Sequence, residues 1–497
     1  MAFVKNVENL IILIQNNMNN IEPKEVFSIF NEITKVPRPS KNEQKIREWL
    51  LNYASKNNLD SFQDEAGNVI MRKPATPGYE GHEGVILQAH MDMVCEKNND
   101  VIHDFMSDPI ETYIDGDYIK ARGTTLGADD GIGMAMALAA LTSPTLHHPA
   151  LEALFTVDEE TGLTGAFKLK DGLLSGKKLI NLDSEDDGQI FVGCAGGIDT
   201  LAKLYYNAEQ LPNGEWFAAK ISINGLLGGH SGDDINKGRA NANKILVRFL
   251  FNLSKKTNLH ISSINGGNLR NAIAREAQAI IIVPFAYKEQ LRIDFNIFSS
   301  EIEGEYNNVE KNLNMTIEST NLPEQIIPQK ISNRLLLSLY ACPHGVYSMS
   351  KDIEGLVETS TNLASVKMKD GYIEINTSQR SSVESQKHNL KNMVECALRL
   401  SGAEVTHGDG YPGWKPNMNS TLKKIAENAY IDITGTNPEV KAIHAGLECG
   451  LFLEKYPWLD MVSIGPQMMG VHSPSEQLSI SSTKKTWQWL QLIIERL

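Results

Sequence analysis

No stretch of this chain approaches the roughly 18 consecutive apolar residues that a membrane-spanning helix needs, so the sequence predicts a soluble protein. Cysteine is scarce as well. Cys95, Cys194, Cys342, Cys396 and Cys449 are widely spread and contain no CxxC pair. That argues against a disulfide framework or a cysteine-rich zinc site and for a reducing compartment. Basic charge is also short. Lys and Arg number 47 against 61 Asp and Glu, leaving a net charge of −14, which speaks against nucleic acid or an anionic membrane as partner. Internal repeats and low-complexity tracts are missing. The amino terminus, MAFVKNVENLIILIQNNMNN, lacks a small-residue cleavage site and reads as a helix rather than a signal peptide. A cytoplasmic location is the expectation.

What is present is ordinary globular material, 41% hydrophobic over 497 residues, long enough for two or three domains. Helical periodicity over 23–36 stops at Pro37 and Pro39. Ser40 and Glu43 then form a capping-box pattern before a second helix, KNEQKIREWLLNYASKN. GNVIMRK and GVILQAH read as strands, the latter apolar enough to be buried on both faces. After Gly196-Gly197 the strands alternate, as in LAKLYYN, FAAKISING and YIEINTSQR. A second domain over 196–398 is therefore read as inserted into a first that comprises 1–195 and 399–497.

The chemistry-bearing residues lie in five segments: GVILQAHMDMV, GTTLGADDGIGMAMALAAL, LEALFTVDEETGLTGA, LINLDSEDDGQ and MVSIGPQMMGVHSPSEQ. They carry His90, Asp92, Asp129, Glu159, Glu160, Asp183 and His472, in four cases where an apolar strand run ends, which is where open α/β sheets bind ligands. Alone, each has an ordinary reading as a strand-end histidine, a helix cap or a solvated acid. Together, an Asp able to bridge two ions, with a His and a carboxylate for each, suits zinc and describes a two-metal hydrolytic centre. Asp92, two positions after His90, is expected to accept the ring N–H and orient the other nitrogen.

The order of the five segments resembles the family of co-catalytic zinc exopeptidases that includes glutamate carboxypeptidase, peptidase T and aminoacylase. HMDMV matches its HxD segment, GTTLGADDGIG its bridging Asp, DEETG its Glu-Glu pair, NLDSE its Asp and GVHSPSE its late His. LQAHMDMVCEKN, GLLGGHSGDDINKGRANANK, NGGNLRNAIARE and AIHAGLECG resemble more narrowly the aminoacyl-histidine dipeptidase branch. The resemblance implies an α/β catalytic domain, its central mixed β-sheet flanked by helices, with an inserted α+β lid domain. It further implies that His90 and Asp183 hold one ion, Glu160 and His472 the other, and Asp129 both, with Glu159 as general base. His230 would complete the oxyanion site from the lid, Asn271 and Arg380 would hold the substrate carboxylate, and His444 and Glu448 would line the specificity pocket.

The implied reaction is metal-dependent hydrolysis of Xaa-His dipeptides, carnosine-like ones included, by a homodimer. Two divalent ions are expected, zinc first, although the ligands also suit manganese or cobalt. An N-acyl amino-acid amidohydrolase or tripeptidase on the same centre, or a non-catalytic peptide-binding protein, are the alternatives left open by the residues.

Overall fold

A computed structural model describes residues 18–497 of the chain. The helix expected at the amino terminus lies outside the described residues, apart from the 3-10 turn Met18–Asn20. The chain divides into two compact units. The first comprises the described residues up to Gly193 with Pro416–Ala442 and Glu448–Leu497, and the second Cys194–Lys415 with Ile443–Leu447.

The first unit is built on an eight-stranded sheet. In chain order its strands are β1 (Asp60–Gln63), β2 (Val69–Lys73), β3 (Val85–His90), β4 (Leu151–Thr156), β5 (Lys178–Asn181), β6 (Gln189–Cys194), β7 (Glu439–Ile443) and β8 (Asp460–Ser463), and across the sheet they run β1-β2-β4-β3-β5-β8-β6-β7. VILQAH and LEALFT are buried at every position, as strands covered on both faces should be. β4, β3, β5 and β8 are mutually parallel, so their carboxyl ends share one edge of the sheet. The segments that follow them carry Asp92, Glu159, Glu160 and Asp183. Helix α1 (Ala128–Thr142), apolar nearly all round, is buried through Leu141, as such a composition requires. Helix Lys24–Ile33 packs against it with Val26, Phe27, Phe30 and Ile33 inward.

The second unit holds a nine-stranded antiparallel sheet whose strands include Trp216–Asn224, Val357–Lys369, Tyr372–Ser381 and Gly196–Tyr205. Its apolar face packs on helices Ala242–Ser254, Lys288–Tyr306, Gln329–Ala341 and Glu384–Arg399, around Leu246, Phe249, Phe295 and Leu335. This unit extends beyond the expected end at 398. Strand Glu404–His407 pairs with Gly196–Tyr205, and helix Glu384–Arg399 lies on that same strand, so residues up to Lys415 stay with this sheet. Ile443–Leu447 joins it as well, because Ala195 N–H donates to the carbonyls of Ile443 and Ala445 at 3.1 and 3.0 Å.

Candidate metal centre

In the first unit Asp129 stands between two histidines. His90 Nε2 lies 3.0 Å from its Oδ1, and His472 Nε2 lies 3.1 Å from its Oδ2. Each imidazole nitrogen faces a second carboxylate, Asp183 Oδ1 at 3.3 Å for His90 and Glu160 Oε2 at 3.0 Å for His472. Asp130, the neighbouring acid, is engaged elsewhere. It accepts His90 N–H at 3.2 Å and Gly133 N–H at 3.1 Å, which makes it the helix cap and leaves Asp129 for the histidines. Among the described residues, the triplets His90, Asp130, Asp183; His90, Glu159, Glu160; and Asp129, Glu160, His472 each bring ligand atoms within 4.8 Å of one another.

The backbone around these groups is fixed by residues that sequence reasoning assigned elsewhere or passed over. Asp92 faces His90 Nδ1 at 3.4 Å, and its oxygens also accept the N–H groups of Glu159 and Glu160 at 3.0 and 3.3 Å. Glu159–Gly162 is a single helical turn that follows closely on the strand ending at Thr156. The Ser40–Glu43 capping box does not form. Ser40 Oγ donates to Asp92 Oδ2 at 2.7 Å, and Glu43 Oε1 accepts Asp158 N–H at 3.1 Å and Lys41 N–H at 2.7 Å. Both serve this centre, which lies some fifty to one hundred and fifteen positions along the chain, so the local pattern concealed the long-range partner.

Two other residues escaped notice. Buried Arg38 donates to the carbonyls of Met91, Asp92 and Gly127. Glu476 accepts N–H groups of Leu126, Gly127 and Ala128 at 2.7–3.0 Å. Those are the free donors at the start of α1. Gly127 has φ +69°, and a Cβ there would lie 2.7 Å from Arg38 Nη2, so only glycine fits. The signal for Glu476 was its place in GVHSPSEQ, four residues after His472.

Electrostatics follow from this crowding. Burial opposes charge on Asp129, but hydrogen bonds from His472 and His90 outweigh it and hold the carboxyl well below its usual range. His472 is pushed up to about 11 by its bonds to Asp129 and Glu160. His90 is also raised, Asp183 and Asp129 overcoming the cost of its burial. Asp183 rises to about 7 through burial, with the Asp129 charge adding to it against the pull of His90. Burial likewise raises Glu159, and Asp183, Glu448 and Glu160 add to the effect. Four acidic groups thus crowd two imidazoles, and Glu160 keeps Oε1 buried with no partner among the described residues. This imbalance, in nitrogen and oxygen donors, fits divalent cations.

Glu448 is 1% exposed, its Oε2 accepting from Gln88 Nε2 at 2.6 Å and Thr156 Oγ1 at 2.7 Å. It is a buried carboxyl rather than an open pocket wall, and burial lifts it to about 8. In the second unit, Arg380 Nη1 donates to Tyr411 Oη at 3.0 Å, and its Nη2 lies 3.5 Å from His230 Nε2. His230 Nδ1 faces Asp233 Oδ2 at 3.1 Å. Asn271 has an exposed side chain, and its carbonyl accepts Ser231 N–H at 2.8 Å. His444 is buried with Nε2 2.7 Å from Ser360 Oγ, and burial with the nearby Arg380 charge lowers it to about 3, so the ring is neutral. The expected pocket wall at His444 is therefore an interior side chain.

A mixed sheet with His and carboxylates converging after the carboxyl ends of its parallel strands, in a chain whose second unit is built on an antiparallel sheet, fits a hydrolase of the metallopeptidase class. The chain matches peptidase family M20/M25/M40 over residues 86–496, and it belongs to that family. It is 42% identical over 483 residues to the cytosol non-specific dipeptidase of Escherichia coli (strain K12), covering 97% of this chain and 99% of that one. The crystal structure of aminoacylhistidine dipeptidase from Vibrio alginolyticus superposes with a TM-score of 0.93 at 39% identity, over 97% of this chain and 98% of the other. Aminopeptidase PepT from Bacillus cereus ATCC 10987 shares the fold at a TM-score of 0.56 and 17% identity, over 96% and 98% of the two chains. The chain is a metallopeptidase of the dipeptidase type. Among the described residues, no helix is long and apolar enough to cross a membrane.

Proposed function

We propose that the chain hydrolyses the peptide bond of dipeptides, favouring those with carboxy-terminal histidine, β-Ala-His included, with two divalent cations at the centre in the first unit. The observation that carries the reading is Asp129, whose two oxygens each face a different histidine. His90 and Asp183 would hold one cation, Glu160 and His472 the other, and Asp129 both. Three carboxylates against two divalent charges leave the set net positive, which favours an anionic nucleophile and a developing oxyanion. Zinc fits the donors best, with manganese or cobalt compatible. When bound, such a pair polarises a carbonyl and acidifies water.

The chain's own residues do the rest. Glu159 takes the proton of the attacking water and returns it to the leaving amine; burial raises the pKa of this carboxyl. Asp92 holds His90 by one ring nitrogen and fixes the turn of Glu159 and Glu160 through their N–H groups. In the second unit, Arg380 keeps Nε buried without a partner, a donor suited to a substrate carboxylate. Asn271 would share that carboxylate, and His230 would stabilise the oxyanion. A homodimer in the cytoplasm completes the reading.

The test is product release from β-Ala-His, Gly-His, Gly-Leu, a tripeptide and N-acetyl-alanine, with zinc and with chelator. Chelator-sensitive histidine release, faster from Xaa-His than leucine release from Gly-Leu, is the expected result. Equal rates on all dipeptides would make the enzyme broad, as the name of the Escherichia coli relative has it. Cleavage of the tripeptide or N-acetyl-alanine alone would overturn the substrate reading.

A further inference from the structure

Beneath the candidate centre, a row of buried polar side chains crosses four neighbouring strands. Ser463 of β8 pairs with Asn181 of β5, and Asn181 with Gln88 of β3. Thr156 of the adjoining β4 pairs with His90. All four are completely buried. Their hydrogen bonds run one way. Ser463 Oγ donates to Asn181 Oδ1, Asn181 Nδ2 to Gln88 Oε1, and Gln88 Nε2 to Glu448 Oε2 at 2.6 Å. Thr156 Oγ1 donates to that same oxygen at 2.7 Å. Glu448, the first residue of helix α2 (Glu448–Lys455), is the terminal acceptor.

Such a row carries a desolvation cost that apolar side chains would avoid. What it supplies in return is direction, because a satisfied hydrogen-bond chain permits one register and one rotamer at each member. Its position gives that direction a purpose. Gln88 stands two residues before His90, and Asn181 two before Asp183, so the row fixes the strand ends from which both side chains project. His472 lies in a loop outside the row, and Glu160 is held through Asp92.

We propose that the row Ser463, Asn181, Gln88, Thr156 is a positioning array for the His90 and Asp183 half of the centre, anchored on Glu448. The proposal rests on the reading that those two residues hold one of two cations. The experiment is a cobalt(II) titration of the full chain, followed by visible absorption and calorimetry, for wild type, Glu448→Ala, Glu448→Gln and Thr156→Val. Removing the anchor in Glu448→Ala should weaken one of the two binding steps by about 10–100-fold, the usual effect of losing a partner behind a ligand. The other step should stay within about twofold. Glu448→Gln, which keeps an acceptor oxygen, should restore most of the loss. Parallel weakening of both steps, or of neither, overturns the array's selectivity. If Glu448→Ala fails to fold, the near-isosteric Thr156→Val decides, since selective weakening supports the array and none contradicts it. A wild type that takes up no cation refutes the centre itself, a separate and recognisable outcome.

Discussion

The two units bury polar groups of opposite need. In the first, Asp129, Asp183, Glu159 and Glu160 crowd His90 and His472, and positive charge is in deficit, so both imidazoles are drawn toward protonation. In the second, the Arg380 guanidinium donates to Tyr411 Oη and faces His230 Nε2 while its buried Nε has no acceptor among the described residues, and burial with the nearby Arg380 charge keeps His444 neutral.

Removing the cations breaks the comparison most completely. A chelator should abolish peptide hydrolysis and excess zinc should restore it; chelator-resistant turnover measured by amine release would contradict the first unit's role. Next comes Glu159→Gln, which should lower kcat by about 10²–10⁴-fold while leaving cation stoichiometry unchanged by calorimetry. Arg380→Lys probes the second unit. Loss of planar, bidentate pairing should raise KM by about 10–100-fold, equivalent to about 1.4–2.7 kcal/mol, with kcat much less affected; a fall in kcat alone would remove Arg380 from substrate binding.

The smallest effect concerns Glu448. Burial raises its folded pKa from an ordinary carboxyl value to about 8, so the folded protein holds a proton that the unfolded chain releases. Its contribution to stability is therefore full at acid pH and lost as pH rises from about 4.5 to about 8. In chelated protein, Glu448→Gln should flatten the decline of Tm between pH 5 and 8, and an unchanged slope would show that this carboxyl does not titrate there.

The parts of the centre that the sequence made legible are those at the ends of strong strand signals. VILQAH and LEALFT announce buried strands, and His90 and Glu159–Glu160 follow from where those runs stop. The supporting residues were hidden because their partners are remote. Ser40 and Glu43 look like a local capping box yet bond Asp92 and Asp158, and Glu476 caps a helix some 350 residues earlier. Gln88, Asn181 and Ser463 offered a signal that periodicity does not weigh, a lone polar residue within an apolar run on each of three strands. The domain boundary at 398 fell short for a related reason. The edge strand Glu404–His407 is only four residues long, and its pairing with Gly196–Tyr205 spans some two hundred positions.

The most direct test of the central claim is the zinc stoichiometry of the full chain and of Asp129→Ala by calorimetry. Two zinc ions per wild-type chain are expected, with severe weakening of both when the shared carboxylate is removed. A single ion in the wild type, or two ions bound as tightly without Asp129, would contradict it.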